Sequence, residues 1–178
     1  LNLRFAEYLL SGYGTDPNIT WLLDLAEVHI ILSANPDGRA VVEAQIASGE
    51  ADEFGTTARK KNLNNATCPD PLNTGVDLDR NFPFQWQLGP TGCMSDYPGA
   101  SAGSEPETTA LTAYINTVIG DYRAGGPDVP ADLSARGLVV HLQSYGNKVF
   151  YPYSYRTEPA PEDAALHTLA NKIAYGTP

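Results

Sequence analysis

Three charged side chains crowd between apolar ones in Gly75-Val76-Asp77-Leu78-Asp79-Arg80-Asn81-Phe82. On a strand-like backbone alternate side chains share a face, so Asp77 and Asp79 point one way and Leu78 and Arg80 the other. A segment packed in this way carries two carboxylates and a guanidinium near or into a core. Charges persist there only when they are paired or bind something charged. Two chemistries fit: an internal Asp–Arg network that only holds a loop, or a site for a charged ligand group.

The elements that position this stretch can be read on either side of it. Leu1, Phe5, Tyr8 and Leu9 recur at helical spacing, and Gly12 and Gly14 end that helix. Asp16 caps a second helix with Pro17 at its first position, running to about Ala26. Val28-His29-Ile30-Ile31-Leu32 reads as a buried parallel strand. Asn35-Pro36-Asp37-Gly38 turns the chain into a helix from about Arg39 to Ala47. Residues 49–74 are polar and irregular, the length of a functional loop. Ser104 caps a helix from about Pro106 to Ile119, with Glu107 completing a capping box. Leu138-Val139-Val140-His141-Leu142 and Val149-Phe150-Tyr151 read as two more strands, and residues 160–174 as a last helix. Strands alternating with helices predict an α/β sandwich: a mainly parallel mixed sheet with helices on both faces, over residues 1–178 as one domain.

Bulk properties narrow the function classes. The chain has 178 residues, 42% hydrophobic and 18% charged, which suits a folded protein with a sizeable core. A net charge of −10 argues against nucleic acid, because no basic stripe meets phosphates. The densest basic run is Arg59-Lys60-Lys61. No apolar run approaches the roughly 20 residues that span a bilayer, so no membrane partner is expected. No signal peptide is present, and the abrupt start at Leu1 fits the removal of one together with other sequence. Cys68 and Cys93 flank the central stretch, and neither has a neighbour at metal-clip spacing.

The central stretch resembles the Gly-Val-Asp-Leu-Asn-Arg-Asn-Phe signature of the zinc metallocarboxypeptidases. Three further pieces agree in the same order: Asn35-Pro36-Asp37-Gly38, Ser104-Glu105-Pro106-Glu107, and Ser144-Tyr145 followed by Tyr151-Pro152-Tyr153. The resemblance implies a carboxypeptidase-like fold, incomplete at both ends. It also implies a disulfide between Cys68 and Cys93, hence a secreted or extracellular protein. Cis peptides are implied at Ser144–Tyr145 and Pro152–Tyr153.

The family's activity is removal of C-terminal residues from peptides. It needs zinc held by three protein ligands with one position open, so that a bound water is activated. Two ligands come from His-x-x-Glu, which does not occur here: His29, His141 and His167 are followed three residues on by Leu32, Ser144 and Ala170. The chain starts just after the place where that motif would lie. The third ligand, a His before Ser-Tyr, is replaced by Gln143, whose amide is a poor zinc ligand. His141, two residues earlier, is either a displaced ligand or, more simply, a core residue. No zinc is expected in this chain.

On the substrate side, Arg80 matches the family Arg that holds a peptide C-terminus, while Asp79 stands where the family has Asn. The Arg that polarises the scissile carbonyl corresponds to Lys60, or to Arg59 if the alignment slips by one. Asp77 corresponds to a carboxylate behind a zinc-bound His. Ser144 and Tyr145 complete the substrate side. Glu158 and Glu162 match no catalytic position and read as solvated charges. The chain is therefore expected to be an inactive portion of such a domain. The alternative is a non-catalytic secreted module that binds a peptide end or serves structure only.

Overall fold

The computed structural model describes residues 1–50, 59–132, 134–143 and 146–176. Among these residues five helices follow one another: α1 (Asn2–Gly12), α2 (Pro17–Leu25), α3 (Pro36–Ser48), α4 (Pro106–Val118) and α5 (Asp163–Gly176). Among the described residues between α3 and α4 there is one 3-10 turn, Leu78–Arg80.

Local chemistry explains where these elements begin. Asp16 accepts from the backbone N–H groups of Asn18 and Ile19 at 2.8 and 3.3 Å, with Pro17 opening α2. Asn35 does the same for α3 through the N–H of Gly38 at 3.0 Å, and Gly49 ends that helix in the left-handed region. The expected cap of α4 is corrected. Glu105 stands at the cap position, and the Ser104 hydroxyl donates to the Glu105 carboxylate at 2.8 Å and accepts from no backbone N–H at the start of the helix among the described residues. α1 and α2 pack at Gly12, where a Cβ would come within 2.3 Å of Ile19.

The expected parallel mixed sheet is also corrected: among the described residues there is no strand. A strand exists through its ladder, and β-propensity expresses itself only beside a partner. Residues 28–32, 138–142 and 149–151 lie outside any helix, yet among the described residues no backbone–backbone hydrogen bond joins them to a neighbour. Much of their apolar surface faces outward, with Leu138, Val139, Val140 and Phe150 all exposed. The central stretch is likewise no strand. The Arg80 N–H bonds to the Asp77 carbonyl at 3.0 Å and the Asn81 N–H to that of Leu78 at 3.1 Å, which closes the 3-10 turn.

Burial concentrates instead around a polar knot. Val76 and Asn81 are wholly buried and Glu105 nearly so, together with Asn62, Thr74, Asp77 and Thr108. Asn62 bridges two segments: its N–H bonds to the Val76 carbonyl at 3.0 Å, and its side-chain oxygen accepts from the Val76 N–H at 2.9 Å. Gly75 allows this approach, with φ of 101° and a Cβ that would lie 2.0 Å from the Asn62 carbonyl.

The loop that carries the central stretch is held by cations and a bridge. The Lys61 ammonium, itself buried, donates to the carbonyls of Asn73, Gly92 and Met94 at 2.7, 2.7 and 2.9 Å. The Cys68–Cys93 disulfide closes the loop, with α-carbons 5.0 Å apart as expected for a bridged pair.

Candidate functional site

The site grows from the 3-10 turn. Asp77 is fixed by its backbone N–H, which bonds to the Tyr97 carbonyl at 2.8 Å. Its side chain is 5% exposed and accepts from Lys60 Nζ at 2.7 Å, with Arg80 Nε 3.5 Å from the same oxygen. A buried carboxylate thus meets two half-exposed cations. Lys60 is positioned in turn by α3, since the Asn35 side-chain amide donates to the Lys60 carbonyl at 3.1 Å.

Asp79 points elsewhere. It is half exposed, accepts from Gln143 Nε2 at 2.5 Å, and has His141 Nε2 3.8 Å from its other oxygen. His141 is itself well exposed, which corrects the expectation of a core histidine. Asp79 and His141 also line a cavity of about 30 Å³ with Leu78, Phe82 and Thr108, room for one water. The buried Thr108 hydroxyl has no hydrogen-bond partner among the described residues.

The structure thus brings Lys60, Asp77, Asp79, Arg80, His141 and Gln143 into one neighbourhood. Arg59 lies apart from it. Its guanidinium donates to the carbonyls of Asn62 and Thr74, both at 2.5 Å, and burial pulls its pKa down. Ser144 and Tyr145 lie outside the described residues, and with them the Ser144–Tyr145 peptide. Pro152–Tyr153 is cis. Glu162 is not merely solvated: it accepts from the Ala131 N–H at 2.6 Å and pairs with Arg123 at 3.1 Å. The Ala131 hydrogen bond above all, helped by Arg123, holds its pKa below the ordinary value.

Sequence reasoning missed the base on which the turn rests. Glu105 accepts from Asn62 at 2.7 Å, from Asn64 at 3.1 and 3.2 Å and from Ser104 at 2.8 Å, while Asn81 Oδ1 accepts the Glu105 N–H at 3.1 Å. The signal was present in Ser104-Glu105-Pro106-Glu107, whose first Glu stands against a Pro-opened helix and has no role in a capping box.

The residues at hand do not fit a catalytic zinc. Among the described residues no three His, Cys, Asp or Glu side chains could hold a metal ion. Gln143 turns its amide N–H₂ toward Asp79, a donor where a metal needs an electron pair. What the cluster can do is bind: two cations that share one carboxylate, beside a second carboxylate held by an amide.

A family profile described as zinc carboxypeptidase matches residues 1–178. An inactive metallocarboxypeptidase of Saccharomyces cerevisiae (ECM14) is 29% identical over 169 residues, 94% of this chain and 33% of the relative. Carboxypeptidase A1 of Rattus norvegicus is 27% identical over 169 residues, 93% of this chain and 34% of the relative. Carboxypeptidase D of Anas platyrhynchos is 33% identical over 156 residues, 84% of this chain and 9% of the relative. The chain spans about a third of the length of the first two.

Proposed function

Because the chain belongs to the zinc carboxypeptidase family, we propose that it is a portion of a metallocarboxypeptidase-like domain that holds a peptide end without hydrolysing it. The observation that carries this reading is the Gln143–Asp79 hydrogen bond. It joins the residue at the family's third-ligand position to the residue at its Asn position, and leaves neither in the form that the family's chemistry needs. Without three ligands no zinc is retained, and without zinc no water is activated toward the scissile carbonyl.

The binding half of the reading rests on cations. Lys60 and Arg80 are both half exposed and share Asp77, so together they carry one unit of positive charge beyond their common partner. Arg80 presents a planar fork suited to a peptide end. The disulfide, and an acidic chain in which no described helix is long and apolar enough to cross a membrane, support placing the protein outside the cell. A structural module is the second reading, favoured by the burial of Asp77 between the two cations.

Calorimetric titration with a blocked dipeptide separates the two. Binding that is lost in Arg80→Ala, with no release of the terminal residue, is the expected result. Equal heats for the wild type and Arg80→Ala would leave the structural reading, and turnover would remove both.

A further inference from the structure

Resting on the reading of the protein as extracellular, we propose that Asn65 is an acceptor for an N-linked oligosaccharide. The pattern Asn-x-Ser/Thr, with x other than Pro, occurs twice: Asn18-Ile19-Thr20 and Asn65-Ala66-Thr67. The structure separates the two. Asn18 lies in the first turn of α2, which Asp16 and Pro17 set locally, and its backbone N–H bonds to the Asp16 side chain at 2.8 Å. Asn65 lies in a turn of the irregular loop that precedes the central stretch.

Three asparagines stand close together there, and the polar knot uses only two of them. Asn62 and Asn64 turn their amides to Glu105 at 2.7 and 3.1 Å. Asn65 is exposed, and its side chain has no hydrogen-bond partner among the described residues. A bulky, solvated group on its Nδ2 therefore displaces no contact of the knot. The loop also sets the order of events. The Thr67 hydroxyl accepts from the Gly75 N–H at 2.8 Å and donates to the Asn64 carbonyl at 3.1 Å, and the next residue is Cys68 of the disulfide. A transferase that reads the hydroxyl two residues beyond the acceptor must meet this loop before Gly75 docks and the bridge closes. Those two fastenings reach across 8 and 25 residues, whereas α2 forms from near neighbours.

The chemistry is a glycosyl transfer. The donor is an oligosaccharide on a lipid diphosphate, supplied by the membrane of the secretory compartment. Asn65 Nδ2 forms a bond to C1 of the terminal N-acetylglucosamine. The C1–O bond to the diphosphate breaks, the lipid diphosphate leaves with that electron pair, and one amide proton passes to a base of the transferase.

The test is peptide mass mapping of the 178-residue chain made in yeast behind a secretion leader. An Asn18→Gln background leaves Asn65 as the one remaining acceptor. Enzymatic release of the glycan in heavy-oxygen water labels the asparagine that carried it, and a non-reducing digest of the same sample, cells and medium together, reports the bridge. The expected result is label at Asn65 in most chains, with Cys68 and Cys93 joined, and no label in Asn65→Gln. Thr67→Ser, which keeps the hydroxyl, should keep the label. Bare Asn65 in chains whose bridge has closed overturns the acceptor and leaves the extracellular reading standing. Bare Asn65 with both thiols free overturns both. Labelled Asn65 with free thiols upholds the acceptor and removes the disulfide as support for the extracellular reading.

Discussion

Glu105 shows how much of the site is decided by single side chains. Its two oxygens accept only from donors: Asn62 and Asn64 on one, Asn64 and Ser104 on the other. Glu105→Gln places an N–H₂ against donors whichever way the amide turns. It should cost about 2 kcal/mol, the penalty for an unmet buried polar group, read by urea unfolding. Asp77 supports a contrast within one cluster. Lys60→Met removes the 2.7 Å partner of a buried carboxylate and should cost about 1–2 kcal/mol, whereas the 3.5 Å contact of Arg80 is worth about 0.5 kcal/mol at a half-exposed position. The pairing of charges in 75–82 was legible in the sequence, because packed charges need partners. The asparagines were not, because an amide in a polar loop looks the same whether it is solvated or buried under a glutamate.

Helix starts were the most legible elements. Asp16 before Pro17 caps α2 as expected, whereas the turn expected at 35–38 is already the start of α3, with Asn35 as its cap before Pro36. Asp16→Ala should destabilise by about 1 kcal/mol, seen as a lower urea midpoint with an unchanged slope. The start of α5 carries a pH dependence. The Ala131 N–H and Arg123 favour the ionised form of Glu162 and hold its folded pKa below the ordinary value of 4.5. The stabilisation is complete above that ordinary value and is lost as the pH falls through the lower, folded one. Glu162→Gln should flatten this part of the stability–pH curve; an unchanged slope on acidification would contradict the assignment. The three apolar runs were read as strands and are none, since a ladder depends on a neighbour that periodicity does not encode.

At the scale of the whole molecule, one covalent bond and two cations organise the loop on which the site stands. Replacing both Cys68 and Cys93 by Ser opens a loop closed across 25 residues and should remove about 3 kcal/mol of stability. The family was legible from four ordered motifs, whereas the architecture around them was not, because apolar runs state that burial is wanted without saying against what. The central claim is that the family's chemistry has no metal to run on in this chain. Metal analysis of the purified chain after dialysis against zinc, paired with hydrolysis of benzoyl-glycyl-phenylalanine in added zinc, tests it most directly. Trace zinc and no release of phenylalanine is the predicted result; about one zinc per chain, with turnover abolished by a chelator, would contradict it.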